Sequence, residues 1–165
     1  MQLDHATLIY TVAPTLRMKA DIDWLRELCL SFPNATEQVT WGADLTFRIS
    51  GKIFAVTVLE PAKVWLSFKC SPENFAELTE RAGIIPAPYM ARAQWVALET
   101  REALEQEELG GLLRQAYELV FAKLPKKTQL ALTQSGPAKR ISAKRIRAET
   151  KLKKRKSGKA LRRRK

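Results

Sequence analysis

The sequence predicts an α+β fold, an antiparallel sheet with helices packed on one face, followed by a basic disordered tail. Three observations carry this reading. Short segments of alternating apolar and polar residues fill the middle of the chain. Segments with apolar residues three and four apart flank them, and cationic charge is concentrated at the C-terminus. At 165 residues and 45% hydrophobic, the chain can bury one core.

Residues 1–20 show no clear period and read as an N-terminal extension. Asp21 is the expected N-cap of a first helix, in which Ile22, Leu25, Cys29 and Phe32 share a face and Pro33-Asn34 stops the chain. The stretch "EQVTWG" reads as an edge strand. In "LTFRIS", Leu45, Phe47 and Ile49 alternate with Thr46, Arg48 and Ser50, and Ser50-Gly51 suits a tight turn into "KIFAVTVLE". In "VWLSFKC", alternation puts Val64, Leu66, Phe68 and Cys70 on one face and Trp65, Ser67 and Lys69 on the other.

"SPENFAELTERAG" is a strong helix signal: Ser71 as N-cap, Pro72 at the first helical position, Glu73 at the positive end of the dipole, and Gly83 as the stop. After a proline-rich loop, "QWVALE" alternates, with Val96 and Leu98 opposite Trp95 and Ala97. A last helix follows, with Leu109, Leu112, Leu113, Ala116, Tyr117, Val120, Phe121 and Leu124 on one stripe up to Pro125. Gly110-Gly111 inside it costs about 1 kcal/mol per glycine relative to alanine, which a close approach of helix to sheet would explain. The α+β domain is thus placed at 21–127 and a basic tail, too poor in large apolar residues to fold alone, at 128–165.

Charge divides the chain in the same place. Residues 1–125 hold 12 Lys and Arg against 16 Asp and Glu, a net of −4; residues 126–165 hold 17 against one, a net of +16. A polycation of this kind points to a polyanionic partner, nucleic acid first. No stretch is apolar for long enough to span a bilayer, so no membrane partner is assigned. The two cysteines, Cys29 and Cys70, form no CxxC pair and read as small core residues in a reducing, cytoplasmic compartment.

Catalysis finds few candidates. His5 is the only histidine, it lies in the unpatterned extension, and no glycine loop has phosphate-cradling spacing. Glu99, Glu102, Glu105, Glu107 and Glu108 read as a solvated stretch around a helix N-terminus, whose dipole they favour. No metal, cofactor or small-molecule substrate is implied, and the chain is expected not to be an enzyme.

The segments "CLSFP", "GKIFA", "SFKCSPE", "PAPYMARAQWVALE" and "LLRQAYELVFAKLPKK", in this order and spacing, resemble the MmcQ/YjbR family over about 21–127. The resemblance implies a frataxin-like layer of helices on an antiparallel sheet and a DNA-binding role through a double-wing arrangement of hairpins. By motif position it singles out Lys69, Pro86, Pro88, Tyr89, Trp95 and Tyr117. Ala116 stands where many relatives carry serine.

The function expected is a small non-catalytic nucleic-acid-binding protein, with DNA the first candidate and affinity drawn mainly from the tail. The tail's contact residues are Lys139, Arg140, Lys144, Arg145, Arg147, Lys151, Lys153, Lys154, Arg155, Lys156, Arg162, Arg163, Arg164 and Lys165, which need only reach phosphates. On the domain, alternation predicts that Arg48, Trp65, Ser67, Lys69 and Trp95 project together from the open sheet face, with Arg92 nearby, as cations beside base-stacking aromatics. The alternative is a protein-interaction or chaperone-like adaptor that takes a peptide on the sheet face or a strand edge.

Overall fold

The computed structural model describes residues 14–134. These form α1 (Pro14–Ser31), β1 (Ala35–Thr40), β2 (Asp44–Ile49), β3 (Lys52–Val58), β4 (Leu66–Lys69), α2 (Pro72–Thr79), β5 (Ile84–Pro86), β6 (Trp95–Leu98), α3 (Gln106–Ala122) and α4 (Lys126–Gln134). The six strands make one sheet in the order β1-β2-β3-β4-β6-β5, with every neighbouring pair antiparallel. The α+β class and the one-sided helix layer are as the sequence predicts.

Local chemistry fixes the turns. Ser50 (φ +49°) and Gly51 (φ +77°) both sit left-handed, the geometry of a two-residue hairpin whose twist matches its strands. Ser71 Oγ accepts from the Asn74 amide at 3.2 Å and starts α2. Gly83 (φ +80°) follows that helix, and a Cβ there would lie 2.7 Å from Thr100 Oγ1. Only glycine meets both conditions.

The core lies between the sheet and the helices. Leu45, Phe47 and Ile49 of β2, Phe54 of β3, Leu66 and Phe68 of β4 and Val96 and Leu98 of β6 meet Leu25 and Cys29 of α1 and the apolar stripe of α3. Phe54 is fully buried, 6.0 Å from the Phe32 ring, 6.4 Å from Phe47 and edge-on to Tyr117 at 5.7 Å. Tyr117 Oη reaches through this cluster to donate to the Pro33 carbonyl at 2.9 Å, which ties α3 to the end of α1. Ala116 beside it is fully buried, so a serine here would have to find a partner for its hydroxyl.

Both expected boundaries move outward. Helix α1 begins at Pro14, seven residues inside the segment read as an extension. Proline suits a first helical turn, Met18 packs against the core, and Asp21 pairs with Arg101 instead of capping the helix. At the other end Pro125 separates two helices instead of ending the fold. Gln129 Nε2 donates to the Leu124 and Ala122 carbonyls at 2.7 and 3.2 Å, Leu132 packs on the core, and Asn34 Nδ2 donates to the Leu132 carbonyl at 3.0 Å. The glycine pair serves no helix–sheet contact. Gly110 faces Leu28 of α1, 3.7 Å from where its Cβ would be, and Gly111 faces open space.

Phe54→Ala should lower the unfolding free energy by about 3–5 kcal/mol, read by urea titration. A loss below about 1 kcal/mol would mean that the aromatic cluster is not the packed centre described.

Candidate nucleic-acid interface

Strand β5 ends at Pro86 and its antiparallel partner β6 begins at Trp95, so eight residues must reverse the chain. They do so as a hydrogen-bonded loop. The Ala87 amide donates to the Trp95 carbonyl (2.9 Å), Met90 to Ala87 (3.1 Å), Ala93 to Met90 (3.0 Å) and Gln94 to Ala91 (2.9 Å). Two non-glycine residues in it are left-handed, Tyr89 (φ +64°) and Gln94 (φ +53°). A bulky residue at such a φ costs on the order of 1–2 kcal/mol. Tyr89 does not cover the apolar surface: its side chain is wholly exposed, held out on the strained turn.

Beneath the loop the sheet carries a second, smaller apolar cluster. Ala87, Trp95 and Ala97 are buried there, with Ile53, Val56, Val64, Ile85 and Met90 packed round them. Lys69, opposite Trp95 in the β4–β6 register, points its Nζ at the Ala93 carbonyl at 2.5 Å. Only 8% of Lys69 is exposed, and burial, with Lys123 nearby, lowers its pKa. Next to it the Cys70 amide and Sγ both donate to the Gln94 carbonyl, at 2.8 and 3.3 Å. Burial pushes the Cys70 thiol up to about 11. Three donors from adjacent residues thus clamp the C-terminal end of the loop.

The expected open-face group is only partly assembled. Trp65 does not share that face. It precedes β4, so strand alternation does not bind it, and Val64 takes the open side instead. Trp65 joins the main core, donates from Nε1 to the Thr100 carbonyl at 3.1 Å, and carries the Arg101 guanidinium 4.7 Å from its ring centroid. Lys69 and Trp95 lie on the predicted face but are buried under the loop. Arg48 is on that face too, yet β2 and β6 are three strand spacings apart, roughly 14 Å. Its Nε donates to Thr46 Oγ1 at 2.9 Å. Arg92 is exposed on the loop. The tail residues from Lys139 to Lys165 lie outside the described residues.

What the domain displays, then, is a held loop with an outward tyrosine, Tyr89, and an outward cation, Arg92, near it in sequence. Alternation could not find Tyr89, because it sits in no strand. The local signal was its place after Pro86-Ala87-Pro88. The acidic run disperses: Glu99 pairs with Lys63 at 3.4 Å, Glu102 with Arg17 at 2.5 Å and Glu108 with Arg81 at 2.7 Å. Among the described residues no three His, Cys, Asp or Glu side chains converge on a metal-sized site, and no helix is long and apolar enough to cross a membrane.

Two measurements check the clamp. Lys69→Met keeps the buried stem but removes the donor, so trypsin should cut after Arg92 several times faster while the unfolding midpoint moves little; an unchanged cutting rate would remove Lys69 from the clamp. The raised Cys70 thiol keeps its proton in the folded chain while an unfolded thiol loses it near its ordinary 9.0. Its stabilisation is present below pH 9 and lost as pH rises through about 11, with Cys29 acting in the same direction. The unfolding free energy should therefore fall over that interval, and fall less in Cys70→Ala.

Known proteins share this sequence pattern and fold. The YjbR family model matches residues 30–119, over half of the chain. Among solved structures, the Deinococcus radiodurans protein DR2400, with a DUF419 domain, aligns with a TM-score of 0.61 at 28% identity, over 68% of this chain and 87% of that one. A Pseudomonas syringae protein aligns with a TM-score of 0.49 at 22% identity, over 61% of this chain and 96% of that one. No curated protein matches. The chain belongs to the YjbR family.

Proposed function

We propose that this protein binds nucleic acid without catalysing a reaction, with residues 135–165 supplying most of the affinity and the Tyr89–Arg92 loop a contact from the folded domain. The observation that carries the reading is the separation of charge. Residues 135–165 hold 15 Lys and Arg and one Glu, whereas residues 14–134 hold 14 Lys and Arg and 15 Asp and Glu. The domain is therefore near neutral, and attraction to phosphates is concentrated in one segment of the sequence. Phosphate contact needs a cation within reach and carries little base specificity.

The domain supplies what the basic segment lacks. An outward aromatic ring on a fixed loop offers a face to an unpaired base, and each such stack is worth about 1–3 kcal/mol by alanine substitution. Arg92 can reach a neighbouring phosphate. Lys69, whose ammonium is taken by the Ala93 carbonyl, and Trp95, beneath the loop, then position the contact without making it. This arrangement favours single strands over duplex, because stacking on Tyr89 needs an unstacked base. We read the helix layer on an antiparallel sheet as frataxin-like, with DNA the first ligand to test and RNA the second.

The decisive comparison is the full chain against a chain ending at Gln134, which keeps α4 and its Leu132 contacts. Both are titrated with single-stranded DNA, duplex DNA and RNA across a salt series. If about six phosphates are neutralised, log K for the full chain should fall against log salt with a slope near −4 for single strands and −5 for duplex. The shorter chain should lose most of the affinity and of the slope. Tyr89→Ala should weaken single-strand binding about fivefold to a hundredfold and leave duplex binding nearly unchanged. A full chain that ignores all three polymers at low salt would falsify the proposal.

A further inference from the structure

The sheet has two margins, and they are not alike. Strand β5 is three residues long, ends in Pro86 and lies beside α2. Strand β1 is six residues long, and among the described residues nothing pairs with its outer side. Its sequence, Ala35-Thr36-Glu37-Gln38-Val39-Thr40, has none of the lysines, prolines or bulges that usually keep a free edge from pairing. Val39 is 52% exposed, and Trp41, just past the strand, is 72% exposed.

The geometry points to a second copy of this chain as the occupant of that edge, its β1 pairing antiparallel with this one about a two-fold axis at Gln38. Hydrogen bonding and charge together narrow the register. The Gln38 carbonyl turns inward to β2, where Thr46 Oγ1 donates to it at 2.7 Å. By strand alternation Glu37 and Val39 then aim their amides and carbonyls outward. Directly opposed residues of an antiparallel pair share a face, so the axis must pass through a residue position. An axis at Glu37 would oppose two carboxylates. An axis at Gln38 opposes Glu37 with Val39 of the copy as a hydrogen-bonded pair, twice over, and sets Thr36 against Thr40 and Gln38 against Gln38. β-Branched and amide pairs of this kind favour a ladder.

Charge agrees. The Glu37 carboxylate is already held by Arg26, with Nε at 2.8 Å from Oε2, and the near-neutral domain sets up no repulsion between copies. The product is a continuous twelve-stranded sheet, formed from the six strands of each copy. Each described chain reaches Gln134 close to Asn34, at the start of β1, since Asn34 bonds the Leu132 carbonyl. In this register the two Asn34 residues stand roughly 25 Å apart.

Light scattering on the full chain, at rising concentration into the high micromolar range, should show a shift from one chain mass to two. Val39→Glu, at an already exposed site, opposes like charges and should return the protein to one chain mass. Adding Glu37→Lys to it creates opposite charges across the ladder and should restore the dimer. Gln38→Cys should form an intermolecular disulfide under mild oxidation, because the native Cys29 and Cys70 are buried and a non-hydrogen-bonded pair brings the two Cα atoms to about 4.5 Å. A chain that stays monomeric and does not cross-link overturns the inference. So does a dimer that ignores Val39→Glu and leaves the Gln38→Cys variant uncross-linked, or a monomer whose β1 takes only an unrelated peptide.

Discussion

Most of this structure follows from where β6 goes. It inserts between β4 and β5, so the chain must cross from β4 to β5 through α2 and then double back within eight residues. The reversal lays a loop over one end of the sheet's open face and buries Trp95 and Ala97 beneath it. The face that sequence alternation leaves free for a ligand is therefore partly occupied by the protein itself. A buried ammonium, Lys69, stabilises this arrangement by bonding the Ala93 carbonyl, and its lowered pKa reflects the cost of keeping that charge away from water. Without a partner at Ala93, the ammonium would have little reason to stay inside.

The consequence is a division of labour between the faces. The helix side carries the large core, closed by aromatic contacts around Phe54 and by the Tyr117 hydroxyl on the Pro33 carbonyl. The open side carries a small cluster whose cover displays Tyr89 on a left-handed turn. Strain at an exposed aromatic persists only where the surroundings hold it. Here the surroundings are the hydrogen bonds of the loop and the clamp at its C-terminal end. Tyr89 and Arg92 are exposed on this loop, while most of the chain's cations are gathered in another part of its sequence.

Much of the fold was legible. The Ser71-Pro72-Glu73 start of α2, the Ser50-Gly51 hairpin and the periodic stripe of α3 depend on local rules, and each element formed where those rules put it. What failed depended on contacts distant in sequence. Asp21 looks like a cap, but Arg101, eighty residues away, takes its carboxylate and α1 continues back to Pro14. Pro125 looks like an end, but Asn34 and the core hold the residues after it as another helix. Trp65 was assigned by alternation one residue outside the strand where alternation applies. The candidate site shows the same limit: the types of Lys69 and Trp95 were visible, but a covering loop decides their burial. Tyr89 was visible by motif position and by its place among the loop prolines, not by alternation, because a left-handed turn leaves no periodic signature.

The most direct test is the amide spectrum of the full chain during titration with a short single-stranded oligonucleotide at low salt. Shifts are expected in two groups, the lysines and arginines from Lys139 to Lys165 and the loop from Tyr89 to Arg92. Tyr117, Phe54 and Trp65 in the core should stay still. Shifts centred on the helix side of the domain with none in the basic segment, or no shifts at all, would contradict it.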